Sequence, residues 1–227
     1  MIGYLQQNTR LEISMANHQC ACFVNKPMRS HEQAIIRISR YLRSTKKRGV
    51  IFQPDPKLGL ECFVDAYFTG CWSKADADNT RNFMSLTGYI IWYAGFPIGL
   101  CSKLQTEIAL STSEAEYISL YQALGTVIPL MNLVEELSDI FPIYINKKYL
   151  HCKVFEDNKS CIAMTKSSNF SVRTNHIALK YHHFKSYVDS KRLRIIYTCS
   201  EDQLADILTK PLPDGQFHIL QKVLNGW

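Results

Sequence analysis

No Cys-x-x-Cys pair occurs in the sequence, although eight cysteines are scattered through it at positions 20, 22, 62, 71, 101, 152, 161 and 199. That spacing argues against a zinc knuckle or a dithiol redox motif and reads as reduced, buried thiols in an intracellular protein. Long hydrophobic runs are missing too. None approaches a membrane span, and the first residues lack a basic, apolar, small-residue leader pattern, so a soluble chain without a membrane partner is expected. There is no low-complexity tract and no internal repeat, which excludes a solenoid. What is present is ordinary for a packed protein: 46% hydrophobic and 20% charged residues. A length of 227 residues is ample, since a domain of about 150 residues already buries roughly 70% of its unfolded surface without disulfides. The formal charge of +6 is modest; where the positive residues cluster matters more for binding a polyanion than their sum.

The opening, residues 1 to about 26, reads as a helix-rich piece without a core of its own and resembles the middle of a longer chain. A helix is expected next, capped by Ser30 with Gln33 completing a capping box, carrying an apolar stripe of Ile35, Ile38 and Leu42, and stopped by Gly49. Its other face holds Arg37, Arg40, Arg43, Lys46, Lys47 and Arg48, either a solvated face or a grip on a nucleic-acid backbone. After a turn at Asp55-Pro56-Lys57 the period changes to two. Strands are expected over Leu60 to Phe68, Leu86 to Tyr93 and Ile98 to Lys103, with a polar loop from Ser73 to Arg81 and a hairpin loop through Ala94-Gly95-Phe96-Pro97. A long helix from Thr112 to Leu137 follows, bent near Gly125 and Pro129. Then come a strand (Leu150 to Phe155), a helix (Lys159 to Thr165), a second helix (Thr174 to Ser190), a strand (Arg192 to Tyr197) and a short helix through Glu201 to Leu208. This order predicts an α/β protein, a mixed sheet flanked by helices with a helical N-terminal appendage.

Four acids interrupt apolar settings. Asp65 lies deep in the first strand, where aspartate is disfavoured. Asp157 follows the fourth strand, Asp206 sits on the last helix, and Glu116 stands beside the apolar face of the long helix. Its neighbour Glu114 has a structural use, a capping box with Ser111. Singly, Asp157 reads as a helix cap and Asp206 as a solvated acid. Gathered at one sheet edge, the four would repel by about 4 kcal/mol per pair at ~4 Å and an effective dielectric near 20. Cations make such a cluster tolerable, and oxygen-only ligands suit Mg²⁺ or Mn²⁺ better than zinc. Two ions roughly 4 Å apart would clamp the attacking and leaving oxygens of a phosphoryl displacement.

Val64-Asp65-Ala66, Ser102-Lys103-Leu104-Gln105 leading to Ser111-Thr112-Ser113-Glu114-Ala115-Glu116-Tyr117, Glu156-Asp157-Asn158-Lys159-Ser160, Thr174-Asn175-His176-Ile177 with Tyr181-His182-His183-Phe184, and Glu201 through Lys210 occur in that order. Together they resemble the ribonuclease H region of copia-type LTR retrotransposon polyproteins, across nearly the whole chain. The resemblance implies a tail or connection segment of the preceding reverse transcriptase over 1–57 and a ribonuclease H-like domain over 58–227. It implies an endonuclease that hydrolyses the RNA strand of an RNA/DNA hybrid with two divalent ions, Mg²⁺ or Mn²⁺. Asp65, Glu116, Asp157 and Asp206 are then the catalytic residues and metal ligands. Arg37, Arg40, Arg43, Lys103, Asn158, Lys180 and Lys185 are the expected nucleic-acid contacts, and the polymerase part of the same polyprotein is a further expected partner. The expected location is the cytoplasm, in a virus-like particle for an intact element, or the nucleus.

The sequence departs from the family's usual pattern at Tyr67, Leu100 and Leu11-Glu12, none of them an implied ligand. These departures feed the alternative of an inactive retroelement remnant that only binds nucleic acid or supports a polymerase. An integrase or resolvase is the other enzymatic rival, and the order Asp, Glu, Asp, Asp runs against the integrase order. A zinc site from His176, His182 and His183 with Cys152 or Cys161 lacks a paired-cysteine knuckle.

Overall fold

The computed structural model describes residues 1–55, 57–69, 83–141, 151–166 and 184–226. Three helices come first, α1 (Ile2–Asn8), α2 (Ser14–Ala21) and α3 (Arg29–Ser44), with a 3-10 turn at Leu11–Ile13. Then follow β1 (Leu60–Tyr67), β2 (Leu86–Tyr93), β3 (Phe96–Leu104), α4 (Thr112–Ile140), β4 (Cys152–Glu156), α5 (Lys159–Lys166), β5 (Leu193–Tyr197), α6 (Asp206–Thr209) and α7 (Asp214–Asn225). The five strands form one sheet in the order β3-β2-β1-β4-β5. The first three are antiparallel, whereas β4 runs parallel to β1 and β5 parallel to β4. This is the expected mixed sheet flanked by helices.

Both faces are covered, which explains why β2 is buried at every position but its last. On one face α4 lays Tyr117, Leu120, Leu124, Val127 and Met131 over Cys62, Val64, Cys152, Val154 and Leu193. On the other, Leu208 of α6 and Leu220 and Leu224 of α7 meet Ile90 and Trp92. At about 1.5–3 kcal/mol for each fully buried large apolar side chain, these layers can carry the cost of acids placed at their edge. By length and composition α4 is also apolar enough to cross a membrane, contrary to the expectation that no run approaches a span. Half of its most apolar window is buried against the protein interior.

Several local expectations are corrected. The β2–β3 hairpin turns on two residues, Ala94 and Gly95, both with positive φ (52° and 75°), so Phe96 and Pro97 belong to β3. A two-residue turn of this hand matches strand twist, and Pro97 is tolerated because β3 is an edge strand. Helix α3 starts at Arg29, not after Ser30: extended Met28 is its N-cap, and the Met28 N–H donates to His31 Nδ1 at 3.0 Å. Ile35, expected in the apolar stripe, is exposed while Ile38 is buried. The expected helix through Glu201 to Leu208 is a 3-10 turn (Ser200–Asp202) and α6, parted at Gln203. The Gln203 side chain explains the break, because its Nε2 donates to the carbonyls of Val64 (2.9 Å) and Phe155 (3.4 Å) across β1 and β4. Helix α7 is an addition to the expected elements, although Phe217, Leu220 and Leu224 share a stripe and Gly226, at φ 77°, ends it. Of the expected 174–190 helix, residues 184–189 are helical; Lys180 and His176, His182 and His183 lie outside the described residues, as does the Ser73 to Arg81 loop.

The N-terminal helices pack on the outer layer. Leu11 enters the cluster around Ile90 and Trp92. Buried Arg10 pairs with Glu12 at 2.8 Å and donates to Thr45 Oγ1 at 2.6 Å, while Tyr41 donates to Glu12 at 3.2 Å and accepts from Gln221 on α7.

Candidate functional site

The parallel register of β1 and β4 pairs Phe63 with Phe155, and two further residues bring Asp65 and Asp157 side by side at the carboxyl ends of the strands. Such ends are where open α/β sheets bind ligands. Glu116 arrives from the first turns of α4. Asp65, Glu116 and Asp157 each offer a carboxylate oxygen, and these oxygens lie within 4.8 Å of one another, a group that could hold a metal ion. Asp206, at the start of α6, shares a partner with Asp65. Lys210 bridges the two, its Nζ 2.8 Å from Asp65 Oδ1 and 2.8 Å from Asp206 Oδ1.

The scaffold that aims these groups is mostly polar. Ser111 accepts from the Glu114 N–H at 3.2 Å, and Glu114 Oε2 accepts from the Leu110 N–H at 2.9 Å, so the capping box closes one residue earlier than expected. Gln105 then ties α4 to the sheet. Its Nε2 donates to Ala115 O (2.9 Å), Thr87 Oγ1 (3.2 Å) and Ser119 Oγ (3.3 Å), residues that flank Glu116 on the helix and face it from β2. Asp157 accepts from Ser200 at 2.8 Å. Helix α6 crosses the row Ser102, Gly88 and Asp65, which are neighbours across β3, β2 and β1. Ser102 donates to Leu208 O at 2.8 Å, and Thr209 Oγ1 donates to Asp65 Oδ2. Gly88 permits that approach: a Cβ there would stand 2.4 Å from Thr209 Cγ2.

Electrostatically the cluster is strained. Burial, then repulsion from Asp65, Glu156 and Asp157, holds the Glu116 carboxyl well above the usual carboxylate range. Burial likewise raises Asp65, against the pull of Lys210 and Thr209. Asp206 is pushed up to about 7 by burial and by Asp65, despite its contact with Lys210. For Lys210 burial acts downward, but the two aspartates outweigh it and hold the ammonium above its ordinary value. Glu156, wholly buried on β4, is raised far by burial and by Asp157 and Asp65. One oxygen of Glu116 and one of Glu156 are buried without a hydrogen-bond partner. Orphaned carboxylate oxygens and an oxygen-only donor set fit a hard divalent cation.

Of the expected nucleic-acid contacts, Arg37, Arg40 and Arg43 form an exposed face on α3, and Lys103 is exposed on β3. Asn158 has a structural use, its Oδ1 accepting from the Cys161 N–H at 3.0 Å at the start of α5. Lys185 is half-buried. Gln105, Gly88, Thr209, Lys210 and Glu156 belong to the site without having been expected there. For Lys210 a signal exists in the sequence, its position four residues after Asp206 on one helical face. An apolar cavity of about 500 Å³ lies elsewhere, lined by Ile13, Ala16, Phe23, Ile38 and Phe217 among others, and none of the four acids lines it.

No family model matches the sequence. The Retrovirus-related Pol polyprotein from transposon RE1 of Arabidopsis thaliana is 32% identical over 219 residues, covering 96% of this chain and 14% of that polyprotein. The corresponding polyprotein from transposon TNT 1-94 of Nicotiana tabacum is 32% identical over 221 residues, covering 97% of this chain and 15% of its own length. The chain thus spans about one seventh of these curated relatives. Among solved structures, LC11-RNase H1, isolated from compost, superposes with a TM-score of 0.45 and 15% identity, over 66% of this chain and 92% of that one.

Proposed function

Because the chain belongs to the Pol polyproteins of copia-type retrotransposons, we propose that it is their ribonuclease H region and hydrolyses the RNA strand of RNA/DNA hybrids during reverse transcription. The observation that carries the reading is the convergence of Asp65, Glu116 and Asp157, from two strand ends and a helix start, on one 4.8 Å cluster, with Asp206 joined to it through Lys210. In this reading residues 58–227 are the nuclease domain and residues 1–57 the tail of the reverse transcriptase.

Asp65, Glu116, Asp157 and Asp206 would hold two Mg²⁺ or Mn²⁺ ions. When bound, such ions supply Lewis acidity and positive charge for in-line displacement at a phosphodiester. The chain's own groups position the rest. Gln105 sets the rotation and depth of α4 and so the place of Glu116; Thr209 fixes one oxygen of Asp65; Ser200 orients Asp157. Arg37, Arg40 and Arg43 on α3 and Lys103 on β3 grip backbone phosphates, and the 2′-hydroxyl of the RNA strand supplies the distinction from DNA. A polymer substrate calls for such an open edge rather than an enclosed cavity.

The test is incubation of the purified chain with labelled RNA/DNA hybrid and Mg²⁺ or Mn²⁺, beside duplex DNA, duplex RNA and an Asp157→Asn variant. Cleavage confined to hybrid RNA, and abolished by EDTA and by the substitution, is expected. A folded chain that binds hybrid but leaves it intact in either metal would instead be a binding or supporting module.

A further inference from the structure

We propose that Lys210 is a built-in counter-ion occupying the place of the second cation, between Asp65 and Asp206, so that the centre takes up its two ions unequally and the second must displace the lysine. This rests on the reading of the carboxylates as a metal centre. The cluster has two poles that share Asp65. At one, Asp65, Glu116 and Asp157 face one another, and Glu116 keeps a buried oxygen with no partner. No cation of the protein bonds to Glu116 or Asp157 among the contacts of the described residues. At the other, an ammonium already sits 2.8 Å from Asp65 Oδ1 and 2.8 Å from Asp206 Oδ1, in bridging geometry.

Divalent ions such as Mg²⁺ bind oxygen at about 2.0–2.1 Å, closer than the ammonium, so both cannot use the same two oxygens. The lysine has somewhere to go. Its side chain is 28% exposed, against 0% and 6% for its partners, and a flexible four-carbon stem lets the head swing into water. Its backbone stays anchored, the Lys210 N–H donating to Asp206 O at 2.9 Å. Exchange therefore needs a side-chain rotation and no movement of α6. Without metal the same lysine offsets the repulsion between two buried carboxylates, so the site can fold before it is loaded.

The experiment is a calorimetric titration of the full chain with Mn²⁺, checked by electron paramagnetic resonance of free Mn²⁺, for wild type, Lys210→Met, Lys210→Arg and Asp157→Asn. Wild type should bind one ion more tightly than the other. Lys210→Met should leave the tighter event in place and strengthen the weaker one by roughly tenfold or more, the scale of one removed competing charge. Lys210→Arg keeps the charge and should resemble wild type, and Asp157→Asn should lose the tighter event. A melting temperature of Lys210→Met that drops in EDTA and recovers with Mn²⁺ would show that this variant folds and lacks its counter-ion. Superimposable isotherms for wild type and Lys210→Met, or loss of the weaker event in Lys210→Met, would overturn the lysine's role alone. Absence of Mn²⁺ binding by every one of these folded proteins would overturn both it and the metal centre.

Discussion

Replacing Glu116 with glutamine should stabilise the metal-free protein while removing its response to metal. Glu116 is 6% exposed, one of its oxygens has no partner, and its ligand oxygen lies within 4.8 Å of those of Asp65 and Asp157. Two unit charges about 5 Å apart at an effective dielectric near 20 interact by roughly 3 kcal/mol. The nearby Lys210 charge and solvent relaxation reduce what is realised, to about 1–2 kcal/mol. For a chain of this size, 1 kcal/mol moves the melting temperature by roughly 2–4 °C, so a rise of about 2–8 °C is expected in EDTA. Mg²⁺ should raise the wild type more than the variant and narrow or reverse the gap. Calorimetric melts of both proteins, with EDTA and with excess Mg²⁺, decide it. A variant that melts cooperatively but lower than wild type in EDTA, or that gains as much from Mg²⁺, would refute the electrostatic account.

Gly88→Ala should cost about 1–3 kcal/mol by overpacking against Thr209 and should lower nuclease activity through Asp65. The companion change Thr209→Ser deletes the clashing methyl and keeps the hydroxyl, so the double variant should recover most of both losses; no recovery would place the defect elsewhere. The raised carboxyls also fix the sign of a pH effect. A native Asp206 that titrates near 7, against 3.8 in the unfolded chain, binds its proton more tightly when folded. Metal-free stability should therefore be fullest below about pH 4 from this group and fall as pH climbs towards 7 and beyond; urea unfolding in EDTA at pH 5.5 and 8 should show the lower stability at pH 8. Combined Arg37→Ala, Arg40→Ala and Arg43→Ala should weaken hybrid binding and reduce its salt dependence by roughly one logarithmic unit of slope for each phosphate no longer neutralised, measured by fluorescence anisotropy. An unchanged slope would make that face merely solvated.

What the sequence makes legible is whatever a local pattern carries. Asp65 stands out because a charge interrupts a β-rich run, and the strand spans follow from alternation and turn residues. Helix α4 follows from its cap at Ser111, whose side chain does accept from the Glu114 N–H. What escapes is set by contacts between distant segments. Lys210 meets Asp65 across 145 positions, and Thr209 meets it across 144, distances at which no periodicity speaks. The space that Gly88 leaves for α6 looks, in sequence, like a weak point in a strand. Gln203 breaks an apparently continuous helix because its amide is needed by two strand carbonyls, a demand visible only once β1 and β4 are side by side. The basic face of α3 is legible as composition, and the structure leaves Arg37, Arg40 and Arg43 in solvent. Tyr41 of the same helix bonds Glu12 and Gln221, and Ile38 is buried.

The most direct measurement of the central claim is the anomalous scattering of a crystal of this chain soaked in Mn²⁺. The account predicts one strong peak within bonding distance of Asp65, Glu116 and Asp157, and a second, appearing at higher Mn²⁺, between Asp65 and Asp206 with the Lys210 side chain turned out. Saturating Mn²⁺ that leaves the three-carboxylate pole without a peak, or that is held only by surface histidines and acids elsewhere, would contradict it.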